Sequence, residues 1–194
     1  MDFLFILNSL LLGVGLAMDA FSVSVANGFA FPKMKKSRIC AVAGTYAIFQ
    51  FLMPMLGWFC VHTVVGFFGV LEKFVPYVAL ILLLYIGIKM IIGCLHGTGP
   101  DTTAVKKLSF GDLMVQGIAT SIDALSVGLT IEQYSTPQAL TASLIIGAVT
   151  FVLCSIGIVI GKKFGQKFGK AELIGGIILI AIGIEIFIRG VFFS

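Results

Sequence analysis

Two aspartates, Asp19 and Asp123, lie in the middle of apolar stretches and have similar neighbours. The first stretch reads AMDAFSVSV over 17–25, and the second reads SIDALSVGL over 121–129. An ionisable side chain at the centre of a membrane helix costs about 2.5–3.5 kcal/mol even on insertion scales. Because this cost arises twice in matching contexts, the repeat predicts that the two carboxylates form a functional pair.

The side chains expected near this pair supply only oxygen ligands. Residues three or four apart share one face of a helix, and hydroxyls lie at this spacing from both aspartates. A second pair of similar segments, 50–57 and 150–157, places two more polar residues at matching positions. The predicted metal-site residues that accompany Asp19 and Asp123 are Ser22, Gln50, Thr120, Ser126 and Thr150.

Such a ligand set suits a hard divalent cation such as Mn²⁺, Mg²⁺ or Ca²⁺, whereas softer metals favour cysteine or histidine. Without the cation, two neighbouring carboxylates repel and at least one takes up a proton, so exchange of metal for protons is chemically natural. Glu185 is a third acid within an apolar stretch. It either pairs with Lys89, its counterpart in the repeat, or serves a proton path; both alternatives stay open.

The composition is that of a protein whose solvent is lipid. The chain is 59% hydrophobic and 11% charged, whereas an ordinary soluble domain carries about 25% charged residues. Since a span needs about 20 residues, the 194 residues predict an all-α polytopic membrane protein with six transmembrane helices. We expect these helices at about 3–28, 39–62, 74–94, 110–131, 138–161 and 171–192.

The whole chain, 1–194, is predicted to form one membrane domain built from two repeats. The first repeat covers about 1–95, a cytoplasmic loop covers about 96–109, and the second repeat covers about 110–194. Three helices per repeat make the second half enter the membrane from the opposite side. The sequence therefore predicts two inverted three-helix repeats, an arrangement that places a transport site at the midplane between them.

The basic residues predict the orientation. Although the net charge is +4, these residues flank apolar runs, which indicates topology rather than nucleic-acid binding. Eleven of the thirteen are predicted on one side, and the other two are Lys73 and Arg189. The eleven are Lys33, Lys35, Lys36, Arg38, Lys89, Lys106, Lys107, Lys162, Lys163, Lys167 and Lys170. The positive-inside rule then places both termini outside.

The cysteines, the histidines and the N-terminal stretch give no sign of a disulfide, a metal site or a cleaved signal peptide. The four cysteines and two histidines lack metal-ligand spacing, so we expect neither a disulfide nor a thiolate site. The N-terminal stretch has an acid, Asp2, and no base before its apolar run, and Asp19 interrupts that run. We therefore expect a retained first helix rather than a cleaved signal peptide.

Four segments together resemble the manganese efflux pump family of the MntP type: 18–21 (MDAF), 50–58 (QFLMPMLGW), 120–124 (TSIDA) and 170–176 (KAELIGG). The resemblance covers essentially the whole chain. It implies a six-helix inner-membrane protein that exports Mn²⁺ from the bacterial cytoplasm, with Asp19 and Asp123 as the leading ion-site residues. Some relatives carry an acid where Gln50 stands. Manganese follows from the resemblance alone, since the residues themselves indicate only a hard divalent cation.

The predicted function is thus manganese(II) efflux, with Mn²⁺ as substrate, no cofactor, no nucleic acid and no obligate protein partner besides the lipid bilayer. An intramembrane aspartyl hydrolase is one alternative, because paired aspartates can divide acid and base duties. Against it, the chain has no insertion that would enclose a peptide substrate. Transport of another divalent cation or of a small solute is the other alternative.

Overall fold

The computed structural model describes residues 3–63, 77, 80–81, 83–88, 91–92, 108–131, 133–165 and 171–192. Within these residues the only regular structure is helical, as the fold prediction requires. The helices are α1 (Phe3–Ala30), α2 (Lys36–Thr63), α4 (Phe110–Thr130), α5 (Thr136–Gly165) and α6 (Ala171–Phe192), and the helical residues between 77 and 92 are called α3.

Several helices meet the requirements of a membrane span. Three segments are long and apolar enough to cross a bilayer: Phe3–Ala30, Lys36–Cys60 and Thr136–Gly165. Leu173–Glu185 is a shorter apolar helix. Their surfaces expose large apolar side chains such as Leu11, Ile48 and Leu144, which suits a protein whose outer face contacts lipid. The chain is therefore a multi-pass membrane protein.

The predicted boundaries are correct to within a few residues for most helices. The largest differences are in α5, which begins at Thr136 and continues to Gly165, whereas 138–161 was predicted. The predicted start at 138 excludes Pro137 from the helix, but proline fits the first turn of a helix, where no backbone N–H partner is needed. The predicted third helix and the loop 96–109 lie partly outside the described residues.

A capping box fixes the start of α5. The backbone N–H and the hydroxyl of Ser135 both donate to Oε1 of Gln138, at 3.0 and 2.9 Å. A glutamine three residues into a helix that reaches back to the N-cap amide satisfies one of the donors left free at a helix start. This local signal explains why α5 begins before the proline.

The helices approach one another closely at glycines. A Cβ on Gly161 of α5 would overlap the carbonyl oxygen of Val25 in α1, and one on Gly28 of α1 would overlap that of Ile158. Gly57 of α2 and Gly128 of α4 lie against each other in the same way. Small residues at helix crossings allow backbone contact, which stabilises membrane bundles mainly through van der Waals packing.

Matching glycines of the two halves make matching contacts. Gly57 faces the carbonyl oxygen of Leu125, and Gly157 faces that of Phe21. In the sequence repeat Gly57 corresponds to Gly157, and Leu125 corresponds to Phe21. The packing of α2 on α4 therefore has a counterpart in the packing of α5 on α1.

The basic connections gather at one end of the bundle. The Lys162 ammonium donates to the carbonyl oxygen of Met34 at 2.6 Å, and the Arg38 guanidinium donates to that of Leu108. These contacts bring together the α1–α2 connection, the start of α4 and the end of α5. We call this the basic end.

The opposite end of the bundle carries aromatic contacts around Tyr134. The Trp58 indole N–H donates to the Tyr134 carbonyl oxygen at 3.0 Å. The rings of Phe5 and Tyr134 lie 5.4 Å apart. The start of α1, the end of α2 and the α4–α5 connection therefore meet there.

Candidate ion-binding site

Gln50 links the two helices that carry the aspartates. Its side chain is fully buried, and its Nε2 donates to the carbonyl oxygen of Leu16 at 2.7 Å and lies 3.4 Å from that of Thr120. Leu16 stands three residues before Asp19, and Thr120 stands three residues before Asp123. Because one nitrogen reaches both carbonyls, the aspartate-bearing turns of α1 and α4 lie next to each other.

The orientation of the Gln50 amide follows from these contacts. If the amide were turned over, Oε1 would face two carbonyl oxygens, and none of the three could donate a proton. With Nε2 donating, Oε1 is buried and has no hydrogen-bond partner among the described residues. A buried acceptor without a partner costs about 1–3 kcal/mol, and an oxygen of this kind is a suitable ligand for a hard cation.

Helices α1 and α4 run antiparallel. Asn27, near the end of α1, hydrogen-bonds Gln116, near the start of α4. Phe5, at the start of α1, contacts Tyr134, beyond the end of α4. The Gln50 contacts lie between these two pairs along both helices.

Along their helices, both aspartates lie close to the level of Gln50. Each follows its bridged carbonyl by three residues, and a Cα–Cβ bond on a helix tilts toward the helix N-terminus. Asp19 therefore leans back along α1 and Asp123 leans back along α4. At 1.5 Å rise per residue, three residues span about 4.5 Å, so each aspartate lies less than one turn along its own helix from the carbonyl that Gln50 contacts.

The two aspartates differ in exposure, although the repeat predicts similar positions. Asp19 is half-buried, whereas Asp123 is exposed. Oδ1 of Asp123 accepts from the backbone N–H of Ala124 at 2.8 Å.

The predicted hydroxyl ligands fall into two groups. Thr120 and Thr150 are buried, and they donate to the carbonyl oxygens of Gln116 and Ile146, both at 2.9 Å. Such bonds use the hydroxyl proton and leave oxygen lone pairs available. Ser22 and Ser126 are half-buried. Thr150 has its own intrahelical partner and thus lacks the bridging role of Gln50, its counterpart in the repeat.

Glu185 is exposed on α6, and Lys89 lies outside the described residues, so the two alternatives for Glu185 remain predictions. In the part of the chain that the structure describes, no group of three or more His, Cys, Asp or Glu side chains is placed to hold a metal ion. The site residues predicted from the sequence are two carboxylates together with neutral hydroxyl and amide groups.

Sequence reasoning missed a second group of polar residues on the basic-end side of this site. Asn27 Nδ2 donates to the Tyr46 hydroxyl and to Gln116 Oε1, both at 2.8 Å. The Tyr46 hydroxyl donates to Gln116 Oε1 at 2.6 Å. All three side chains are fully buried, and we call them the Asn–Tyr–Gln network. Gln116 gave a usable signal as an amide in an apolar run, whereas Asn27 was interpreted as the end of the first helix.

Comparison with known proteins gives one consistent result. The model of a family described as "Putative manganese efflux pump" matches residues 33–187. A protein of Ruminiclostridium cellulolyticum named "Putative manganese efflux pump MntP" is 38% identical, with 95% of this chain and 96% of the relative covered. Proteins of the same name from Methanosarcina mazei (42%; 93% and 94% covered) and Crocosphaera subtropica (41%; 95% and 96% covered) are also similar. No solved structure matches the chain.

Proposed function

Because the chain belongs to the manganese efflux pump family, we propose that it exports Mn²⁺ across the bacterial inner membrane through a site between Asp19 and Asp123. The family is one of transporters, so the chain is not the hydrolase that the paired aspartates also suggested. Mn²⁺ is assigned as the substrate because the related proteins are named as manganese efflux pumps. The proposed site and mechanism rest on the residues described above.

The observation that carries the proposed site is the Oε1 atom of Gln50. It is buried without a hydrogen-bond partner among the described residues, and the same amide fixes the turns before Asp19 and Asp123. A cation bound there gains a neutral oxygen ligand whose position is already set. Preorganised ligands reduce the entropy lost when an ion binds.

Charge balance supports exchange of Mn²⁺ for protons. A dication between two ionised aspartates is neutral overall, which lowers the free energy of a charged site in a medium of low dielectric constant. When the ion leaves, the two carboxylates repel, and protonation of one relieves the repulsion. In the proposed cycle Mn²⁺ thus leaves as at least one proton enters the site.

The proposed architecture is a pair of inverted three-helix repeats with both termini outside. The matching contacts of Gly57 with Leu125 and of Gly157 with Phe21 support the repeat. The grouping of Lys162 and Arg38 at one end of the bundle supports the orientation, because clustered basic residues favour the cytoplasmic side. Mn²⁺ then enters from the basic end.

The exposure of Asp123 supports access to the site from water. A carboxylate at this depth facing hydrocarbon would be costly, so the proposal places it at a hydrated opening. Asp19, half-buried, lies on the more enclosed side of the same site.

Metal flux into inside-out membrane vesicles tests the function. Vesicles containing the protein are expected to take up Mn²⁺ well above protein-free vesicles and to prefer it to Mg²⁺, Ca²⁺ and Zn²⁺. A pH indicator inside the vesicles is expected to report a rise in internal pH during Mn²⁺ uptake, because the exchanged protons leave the vesicle. Equal uptake by protein-free vesicles would contradict transport, and Mn²⁺ flux without proton movement would contradict exchange.

Gln50→Leu is expected to weaken Mn²⁺ transport about 10- to 100-fold, chiefly through a higher Mn²⁺ concentration at half-maximal rate. The substitution removes one oxygen ligand and the donor that joins α1 to α4, and lost supporting contacts typically reduce metal affinity by this factor. Initial rates over a range of Mn²⁺ concentrations measure the effect.

Ser9→Ala is the control, because it removes a buried hydroxyl outside the proposed ion site whose proton already bonds the Phe5 carbonyl oxygen. We expect its rates to stay within about twofold of the parent, since that bond is local to one helix. If Gln50→Leu transported Mn²⁺ as well as Ser9→Ala, the Gln50 amide would not be a ligand.

A further inference from the structure

The Asn–Tyr–Gln network joins three helices at one level of the bundle. Asn27 belongs to α1, Tyr46 to α2 and Gln116 to α4, and all three side chains are inaccessible to water. Asn27 and Gln116 lie two turns or less from the basic end, since the amide of Phe31 bonds to Asn27 and α4 begins at Phe110. The network therefore lies between the candidate ion site and the basic end.

We propose that the Asn–Tyr–Gln network is the gate that closes the ion path on the basic side. This inference rests on the proposed function, because it requires that ions pass between α1, α2 and α4. Three short hydrogen bonds hold these helices together, and a hydrated ion cannot pass while the side chains are packed without water.

The chemistry of the network suits a gate better than a second ion site. All its groups are neutral, and Gln116 Oε1 already accepts two hydrogen bonds. Amide and phenol oxygens cannot compete for a dication with the two aspartates farther along the path. The ion would pass these groups without being held.

The polar side chains of the network also lower the free energy of the open state, so that it can be populated. In the closed state each side chain satisfies the others, which removes the cost of burying polar groups. In the open state water can bond to the same groups, whereas an apolar gate would expose hydrophobic surface. Two arrangements close in free energy are what a switching element needs.

Cys154 provides a reporter for this gate. Its side chain is fully buried, and it belongs to the same cluster of buried side chains as Tyr46. In a chain whose other three cysteines are replaced by serine, a membrane-impermeant maleimide should react with Cys154 only when the network opens. A second variant, Lys35→Cys, places a cysteine at the basic end. Its labelling shows from which side of the membrane the maleimide reaches that end.

Tyr46→Phe removes two hydrogen bonds of the network, one accepted from Asn27 and one donated to Gln116. It is expected to raise the rate of Cys154 labelling at least about fivefold, the population shift that the loss of a single hydrogen bond of ordinary net strength produces. Gln116→Leu, which removes the acceptor shared by two donors, is expected to raise it further. The increase should be seen when the maleimide is added on the same side of the membrane from which it labels Lys35→Cys. Thr45→Val is the matched control, because the exposed Thr45 hydroxyl bonds only to Ala41 of the same helix.

Parent-like labelling in both Tyr46→Phe and Gln116→Leu, or an increase only from the opposite side, would overturn the gate. The measurement needs no metal, so it separates the two proposals. Increased labelling with no Mn²⁺ flux in the parent would refute Mn²⁺ transport, and the network would then be a closure of the basic side for another solute. Normal Mn²⁺ flux in the parent with unchanged labelling in the variants would support the function and refute the gate. Size-exclusion profiles in detergent confirm that each variant is folded.

Discussion

Asp19→Asn and Asp123→Asn are each expected to reduce the initial rate of Mn²⁺ export at least about 100-fold. Asparagine keeps the size and one oxygen of aspartate but removes its charge, so the dication is left with one carboxylate instead of two. Breaking a fully buried charge pair from one side costs about 3–5 kcal/mol. The expected loss of two powers of ten corresponds to about 2.7 kcal/mol, which is below that range because Asp123 is exposed. Vesicle uptake of Mn²⁺ measures both variants.

Asp112→Asn is the control for this experiment. Asp112 is half-buried in the first turn of α4, on the same helix as Asp123 but at its basic end. Its negative charge stabilises the N-terminus of α4 by only roughly 0.3–1 kcal/mol. Because Asp112 is not part of the proposed ion site, we expect transport close to that of the parent. If Asp19→Asn and Asp123→Asn both moved Mn²⁺ as fast as the parent, the proposed ion site would be wrong.

Gly161→Ala is expected to lower the free energy of unfolding by about 3 kcal/mol, in the upper range for an overpacked site. The added methyl would overlap the Val25 carbonyl oxygen and approach Gly28 Cα within 3.0 Å. Both groups are backbone, so no side chain can rotate away and α1 must separate from α5. Unfolding in detergent, followed by circular dichroism, measures the change.

Gly44→Ala is the matched substitution at an open position. Nothing lies within 4 Å of a Cβ built on Gly44, and alanine inside a helix is favoured over glycine by about 0.5–1 kcal/mol. The two variants should therefore shift stability in opposite directions. Equal stabilities for Gly161→Ala and the parent would show that the α1–α5 contact is looser than described.

The sequence was sufficient for features that depend on local pattern. The apolar lengths predicted a helical membrane protein, and basic clusters predicted which connections share one end of the bundle. The capping residues of α5 were readable as well, but Pro137 was given too much weight.

The bridging role of Gln50 could not be predicted, because it depends on how α1 and α4 are rotated about their axes. Asn27 and Gln116 are 89 residues apart, and no local rule connects them. The unequal exposure of Asp19 and Asp123 is also a property of packing, since their sequence contexts are nearly the same.

The Gln50 amide has a consequence for how acidity affects this protein. An amide does not ionise in the pH range of a cell, so this ligand keeps the same charge while it donates to Leu16 and Thr120. Within the proposed ion site, titration is then confined to Asp19 and Asp123. At most two protons can occupy these carboxylates when the metal has left, which sets an upper limit of two on the protons exchanged there for each Mn²⁺.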